Sequence, residues 1–380
     1  MKITDVKAYY LEWPLAAPIR HVDGVTYNRK WPGVTLAKVF TDDGLVGIGG
    51  QHTTWPRWKN YIEDQVKPFL LGEIVEPFYV EKFSNHFCSQ APGSAVGPGP
   101  NCVEIALWDL IGKAASQPIY KLLGAKKDKV KAYLSLYPKY PPWTEEEIAS
   151  FTKEQHFEAV KLHGVTGDVE KDLIYVKRLR EALGNGIEIM MDAEQGWKES
   201  SVYDFRKALK MARGLEKYDV SWFEDALSFD KQPELVAKLA ETVDIPIAGG
   251  GRVYSAHRFR PLIVNNVLDV VQPDPQYSGG ILEVKKIAIL AEMYGKVCVP
   301  HGGVRDSTGL CLAANLQVTG TADIPYVEYG FYPPAYSAEV RDRILKEPIV
   351  VRKDGYVDIP NKPGIGVELD EEAVAKYTVK

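Results

Sequence analysis

Short apolar runs alternate with amphipathic stretches along most of the chain, and this alternation predicts its elements. Residues 2–11, 34–40 and 45–48 are short runs rich in β-branched and aromatic side chains, and the TDDG between the last two is a hairpin signal. Helical spacing follows at 58–70, 78–89 and 102–123. In the third of these, Val103, Ala106, Leu107, Leu110, Ile111 and Ala114 line one face. Strands followed by helices predict a small α+β unit over residues 1–125.

From residue 130 the pattern changes to strands alternating with helices. The apolar runs are 130–136, 159–162, 187–191, 220–223, 245–248, 267–271, 297–299 and 324–327. Between them helices are expected at 145–155, 169–183, 200–218, 232–242, 255–264, 280–294 and 308–320. Crossover helices demand parallel strands, and eight parallel strands close into a filled barrel. The expected fold class is therefore α/β: a TIM-type (β/α) barrel over 126–345 behind an N-terminal α+β domain. The tail, 346–380, has turn signals at Asp354–Gly355 and Pro363–Gly366 and is expected to return to the N-terminal domain.

Polar residues end the barrel runs, and in such a barrel the C-terminal strand ends form the open mouth. The second run ends in Lys161 and His163, the third in Asp192 and Glu194, and the fourth in Glu224 and Asp225; the sixth supplies Asp274, the seventh His301 and the eighth Glu328. In IEIMMDAEQGW, alternation along an extended strand places Asp192 and Glu194 on one side. Each residue alone has an ordinary reading as a cap or a solvated strand end. Acids at mid-sheet with cations on the strands to either side suit removal of a proton next to a carboxylate, where positive charge must neutralise the enediolate. Lys161 or His163 is a candidate base, and Asp274 with His301 a candidate dyad. Two polar loops, 14–32 with Arg20, His21 and Trp31, and 49–54 with His52, are candidates for substrate binding and closure.

Composition narrows the partners. A net charge of −5 offers no basic stripe for nucleic acid, while 45% hydrophobic and 26% charged residues are ordinary for a globular enzyme. Cys88, Cys102, Cys298 and Cys311 form no close-spaced framework, which fits a reducing compartment. With no leader pattern at the start and no apolar run of membrane length, a cytoplasmic protein with a small-molecule partner and no membrane partner is expected.

The stretches VEIALWDLIGKAASQPIYKLLGA, IMMDAEQGW, SWFEDAL, VVQPDPQYSGG, VCVPHGG and PGIGVELD carry a resemblance. Over nearly its full length the chain resembles the mandelate racemase group of the enolase superfamily. The resemblance implies a modified barrel with a capping domain, Lys or His bases working with Mg²⁺, and a small carboxylate substrate. It implies Asp192 and Glu224 as Mg²⁺ ligands, Asp274 with His301 as acid/base dyad, and Glu328 as donor to the substrate carboxylate. Three positions depart from the group's pattern. Lys-x-Lys on the second strand is Lys161-Leu162-His163, Asp-x-Asn on the third is Asp192-Ala193-Glu194, and Gly251 stands where a third metal glutamate is expected, with Arg252 beside it. A Mg²⁺ site of Asp192, Glu224 and Glu194 is therefore expected, with Arg252 a candidate for the substrate carboxylate. Dehydration of an acid sugar is the leading expectation; racemisation or epimerisation, cycloisomerisation and a metal-poor scaffold remain open. A homo-oligomer completes the expectation.

Overall fold

The computed structural model describes the chain except residues 21–25, 28–32, 53–56, 90–99, 137–142, 197–201, 303–307, 334 and 380, and describes backbone only at 19, 20, 26, 27, 57, 88 and 89. Three N-terminal strands, Ile3–Leu11, Val34–Thr41 and Val46–His52, form an antiparallel meander. Helix Asn101–Ala114 lies on it. Glycine permits that close approach: a Cβ on Gly47 would fall 2.2 Å from the Ala106 carbonyl oxygen, and one on Gly49 2.0 Å from that of Cys102. The helix stops at Ala114 instead of running on to 123, because Ser116 takes a left-handed conformation (φ 54°) and Pro118 holds the residue before it out of the helical region. A short helix, Ile119–Leu122, resumes after it. Of the two helices expected before this one, the first is interrupted by a π-helical stretch at Ile62–Val66, and the second passes from Pro77–Phe83 into a π-helical stretch at Ser84–Ser89.

The barrel strands are Lys129–Leu136, Ala159–His163, Glu188–Asp192, Val220–Glu224, Ile247–Gly249, Val270–Val271, Val297–Cys298 and Tyr326–Gly330. The connecting helices are capped by local side chains. Thr144 and Glu147 make a reciprocal capping box, and Asp168, Asp204 and Thr308 each accept from the first turn of their helices. The Asp204 cap starts its helix at Phe205, later than the apolar pattern suggests.

Parallel ladders join the strands from the seventh back to the first, and the eighth pairs with the first. Among the described residues no ladder joins the seventh to the eighth, so the hoop of backbone hydrogen bonds has one seam. Buried apolar residues divide into two cores. The larger lies between the strands and their helices and extends under the N-terminal sheet. The smaller takes one residue from each of seven barrel strands and Val299 from just after the seventh: Tyr133, Ala159, Met190, Trp222, Ala248, Val270, Val299 and Tyr326.

The tail contacts the N-terminal sheet, but it joins the barrel first. Strand Tyr356–Asp358 pairs antiparallel with residues 129–131 of the first barrel strand. The chain then runs to the first N-terminal strand, where the Val379 amide donates to the Tyr10 carbonyl at 2.8 Å. No helix among the described residues is long and apolar enough to cross a membrane.

One carboxylate ties the N-terminal helix to the barrel. Fully buried Glu104 accepts from the Ile281 amide at 2.8 Å and the Leu282 amide at 3.1 Å, capping barrel helix Ile281–Met293 from a distant part of the sequence. Burial pushes its carboxyl up to about 8, against the two amides that favour the charged form. The folded state therefore binds this proton more tightly than the unfolded chain does, so the stabilisation is full below the ordinary value of 4.5 and is lost as pH rises toward about 8. Wild-type protein is expected to lose a few kcal/mol through this group between about pH 5 and pH 8, on the order of 1.4 kcal/mol for each pH step of one. Glu104→Gln should flatten that slope; urea unfolding at the two pH values checks it, and an unchanged slope would show that Glu104 does not titrate in this range.

Candidate active site

A period of two fixes the site. Two residues beyond each member of the inner apolar core, the next inward positions are Ser135, Lys161, Asp192, Glu224, Gly250, Gln272, His301 and Glu328. The polar ring is therefore the layer above an apolar plug. His163, Glu194 and Asp274 come two residues later again.

Lys161 is at the centre of the ring. Its Nζ, shut off from solvent, lies 2.9 Å from both oxygens of Glu224 and 3.0 Å from Glu328 Oε1. Burial opposes the ammonium charge, yet the two carboxylates outweigh it and hold Lys161 well above its ordinary value. Glu224 is further held by Trp222 Nε1 at 3.1 Å and Gln272 Nε2 at 2.7 Å. Glu328 accepts from Ser135 Oγ at 2.7 Å and from the Gly302 amide at 2.9 Å. Burial would raise the Glu328 carboxyl, but Lys161, the two histidines and the Ser135 bond bring it below its ordinary value. The donor role that the resemblance implies for Glu328 would require this carboxylate to take up a proton.

Beside this pair stands a triad. His163 Nδ1 lies 3.1 Å from Asp192 Oδ2 and 3.5 Å from Glu194 Oε1, and ligand atoms of all three residues fall within 4.8 Å of one another. Alternation along a strand is not what joins the two acids. The strand ends at Asp192, Glu194 is left-handed (φ 52°), and its amide donates to Asp192 Oδ1 at 2.6 Å. That turn brings the Glu194 carboxylate back over the strand end. Burial alone would lower the imidazole pKa, but hydrogen bonds to Asp192 and Glu194 raise it to about 9. The triad attracts positive charge. One imidazole and two carboxylates, buried together, balance a divalent cation and form a donor set suited to one. Glu224, an expected ligand, is not among them and is committed to Lys161.

The dyad is formed as expected in position, with His301 Nδ1 3.0 Å from Asp274 Oδ2. Asp274 also accepts from the Gln276 amide at 2.8 Å and the Gln276 side chain at 3.3 Å. Gln276 in turn accepts from the His52 amide at 2.7 Å, while Asn101 donates to its backbone oxygen at 2.8 Å. The dyad is thus anchored to the N-terminal unit. His52 reaches the site through these contacts and through Tyr277, whose hydroxyl lies 3.1 Å from its Nδ1.

Gly251 now has a steric explanation. A Cβ there would lie 2.6 Å from His301 Cδ2, so the imidazole fills the space in which a side chain at 251 would begin. Arg252 lines a cavity of about 660 Å³ with Gly196, Phe229, Tyr254 and His257, to which none of the ring residues contributes. Asp225 leaves the ring by a left-handed turn (φ 47°), its carboxyl packed against Gly196 and Gly249. The Arg20 backbone pairs with Thr26, whereas its side chain, His21 and Trp31 lie outside the described residues. Sequence reasoning misses Ser135, Gln272 and Gln276. Their signal is a polar residue within or just after an apolar run, as in Leu134-Ser135-Leu136.

Residues 143–373 match the Enolase C-terminal domain-like family, and residues 3–124 match the Mandelate racemase / muconate lactonizing enzyme, N-terminal domain. The chain belongs to the mandelate racemase/muconate lactonizing enzyme group of the enolase superfamily. Within that group it is similar to the arabinonate dehydratase of Saccharolobus solfataricus, with 31% identity over 356 residues and 91% of each chain covered. It is similar to the D-xylonate dehydratase of Haloferax volcanii at 28% identity, covering 96% of this chain and 90% of that one. A crystal structure of the 3,6-anhydro-D-galactonate cycloisomerase from Zobellia galactanivorans superposes with a TM-score of 0.82 at 28% identity over 100% of both chains. The enolase-superfamily barrel and its capping sheet are therefore shared by sequence and by shape.

Gly251→Ala is expected to push the His301 ring aside. The overpacking should cost about 1–3 kcal/mol of stability, and turnover should fall because the dyad shifts. Thermal unfolding with a rate assay checks this; unchanged values for both would mean that the ring yields without consequence.

Proposed function

We propose that the protein is a divalent-cation-dependent dehydratase of acid sugars, removing the proton α to a carboxylate and the β-hydroxyl to give a 2-keto-3-deoxy acid. The observation that carries this reading is the Asp274–His301 dyad set in one ring with Lys161 and the His163/Asp192/Glu194 triad. The relatives support it in kind, since the arabinonate and D-xylonate dehydratases are named for sugar-acid substrates.

Asp274 holds His301 by Nδ1, so proton transfer runs through Nε2. The neutral ring takes the α-proton, and Asp274 stabilises the imidazolium that forms. The C–H electron pair moves into the enediolate, whose collapse breaks the bond to the β-hydroxyl; His301 returns its proton to that oxygen, and water leaves. Ketonisation of the resulting enol takes a proton from solvent at C3 and releases the enol hydroxyl proton to solvent. Lys161, kept charged by its two carboxylates, supplies fixed positive charge near the developing oxyanions. A divalent cation held by the triad, Mg²⁺ being the ion the resemblance implies, supplies further charge for the substrate carboxylate.

Racemisation needs a second base opposite His301. Lys161 serves poorly there, because an ammonium held between Glu224 and Glu328 has no lone pair to accept a proton. Incubating the protein with aldonates, aldarates and their lactones should yield an α-keto acid from at least one of them, detected as its semicarbazone. His301→Asn should lower that turnover by about a hundredfold or more. An epimer or an opened lactone as product in place of a keto acid would overturn dehydration, and full turnover by His301→Asn would overturn the dyad.

A further inference from the structure

We infer that His163 is a cation ligand of this enzyme through Nδ1, so that the metal centre lies on the second and third barrel strands and prefers ions that accept imidazole, such as Mn²⁺, over Mg²⁺. The inference rests on the cation-dependent reading above and narrows which ion is held and by what.

Three observations converge. The fifth-strand position is closed, since Gly251 has no side chain and the His301 ring fills the space beside it. The fourth-strand carboxylate is committed, with both Glu224 oxygens 2.9 Å from Lys161 and Oε2 also bonded to Trp222 and Gln272. What remains within mutual reach is His163, Asp192 and Glu194, all buried.

The hydrogen bonds behind His163 fix which nitrogen faces the triad. Ser135 has one hydroxyl proton, and its Oγ lies 2.7 Å from Glu328 Oε1 and 2.8 Å from His163 Nε2. A carboxylate can only accept, so the serine proton goes to Glu328 and His163 Nε2–H must donate to Ser135. In the neutral ring, Nδ1 then carries the lone pair, and Nδ1 is the atom beside Asp192 and Glu194. A second partner that orients a ligand imidazole and fixes its tautomer is the usual arrangement at metal centres. Here it is the chain from His163 through Ser135 to Glu328.

Imidazole favours later first-row ions, while an all-oxygen site suits Mg²⁺. Calorimetry on the metal-stripped enzyme should show MnCl₂ binding at least about tenfold more tightly than MgCl₂. Electron spin-echo envelope modulation of the Mn²⁺ complex should show coupling to one imidazole ¹⁴N. His163→Asn should abolish that coupling and His301→Asn should retain it. Ser135→Ala should weaken Mn²⁺ binding by about 10–100-fold, as loss of a ligand's orienting partner does. Mn²⁺ binding without nitrogen coupling, coupling that survives His163→Asn, or equal affinity for the two ions would overturn this inference and leave cation dependence intact. Binding of neither ion, with or without a turned-over acid sugar present, would overturn both.

Discussion

A fully buried ammonium must be neutralised, and the way this chain does so organises the barrel mouth. Lys161 reaches Glu224 on one side and Glu328 on the other, above the ring of Tyr133. Removing one member of such a group leaves an uncompensated buried charge, at a cost of about 3–5 kcal/mol. The carboxylates then pass order outward. Glu224 holds Trp222 and Gln272, while Glu328 holds Ser135, which in turn is bonded to His163. Glu328 also takes the Gly302 amide from the loop after the seventh strand, spanning with a side chain the seam that no ladder closes among the described residues. One ion-paired group therefore supports the cation triad and the closure of the barrel together.

The fold was legible because its signals were local and periodic. Two helices, Val169–Leu183 and Ser255–Val264, begin and end where the apolar pattern does, and every barrel strand overlaps its predicted run. Departures arose where backbone conformation overrides side-chain pattern. Ser116 and Pro118 divide a continuous apolar stripe, and the tail strand Tyr356–Asp358 finds a partner that its own sequence does not specify.

The site was legible in its membership more than in its pairings. Alternation from the inner core leads directly to Lys161, Asp192, Glu224, His301 and Glu328, because strand geometry carries that information. It does not say that Glu224 turns to Lys161, which depends on which buried charges lie closest in space. It names Glu194 beside Asp192 but not the means, since the return toward Asp192 comes from one left-handed residue and not from strand alternation. Gly251 reads as a loss in sequence. In space it is the clearance required by His301.

The seam also makes the barrel mechanically uneven. Strands two, three and four carry the triad and the Lys161–Glu224 pair, and each is tied by backbone ladders on both sides. His301 follows the seventh strand, which is laddered on one side only among the described residues. The His301 amide donates to the Pro273 carbonyl at 3.0 Å, so the imidazole that would shuttle a proton is braced by main-chain bonds from the sixth-strand side, while the groups that would fix a cation are braced from both sides. The groups that would fix a cation thus sit on the arc laddered on both sides, and the group that would shuttle a proton sits beside the gap.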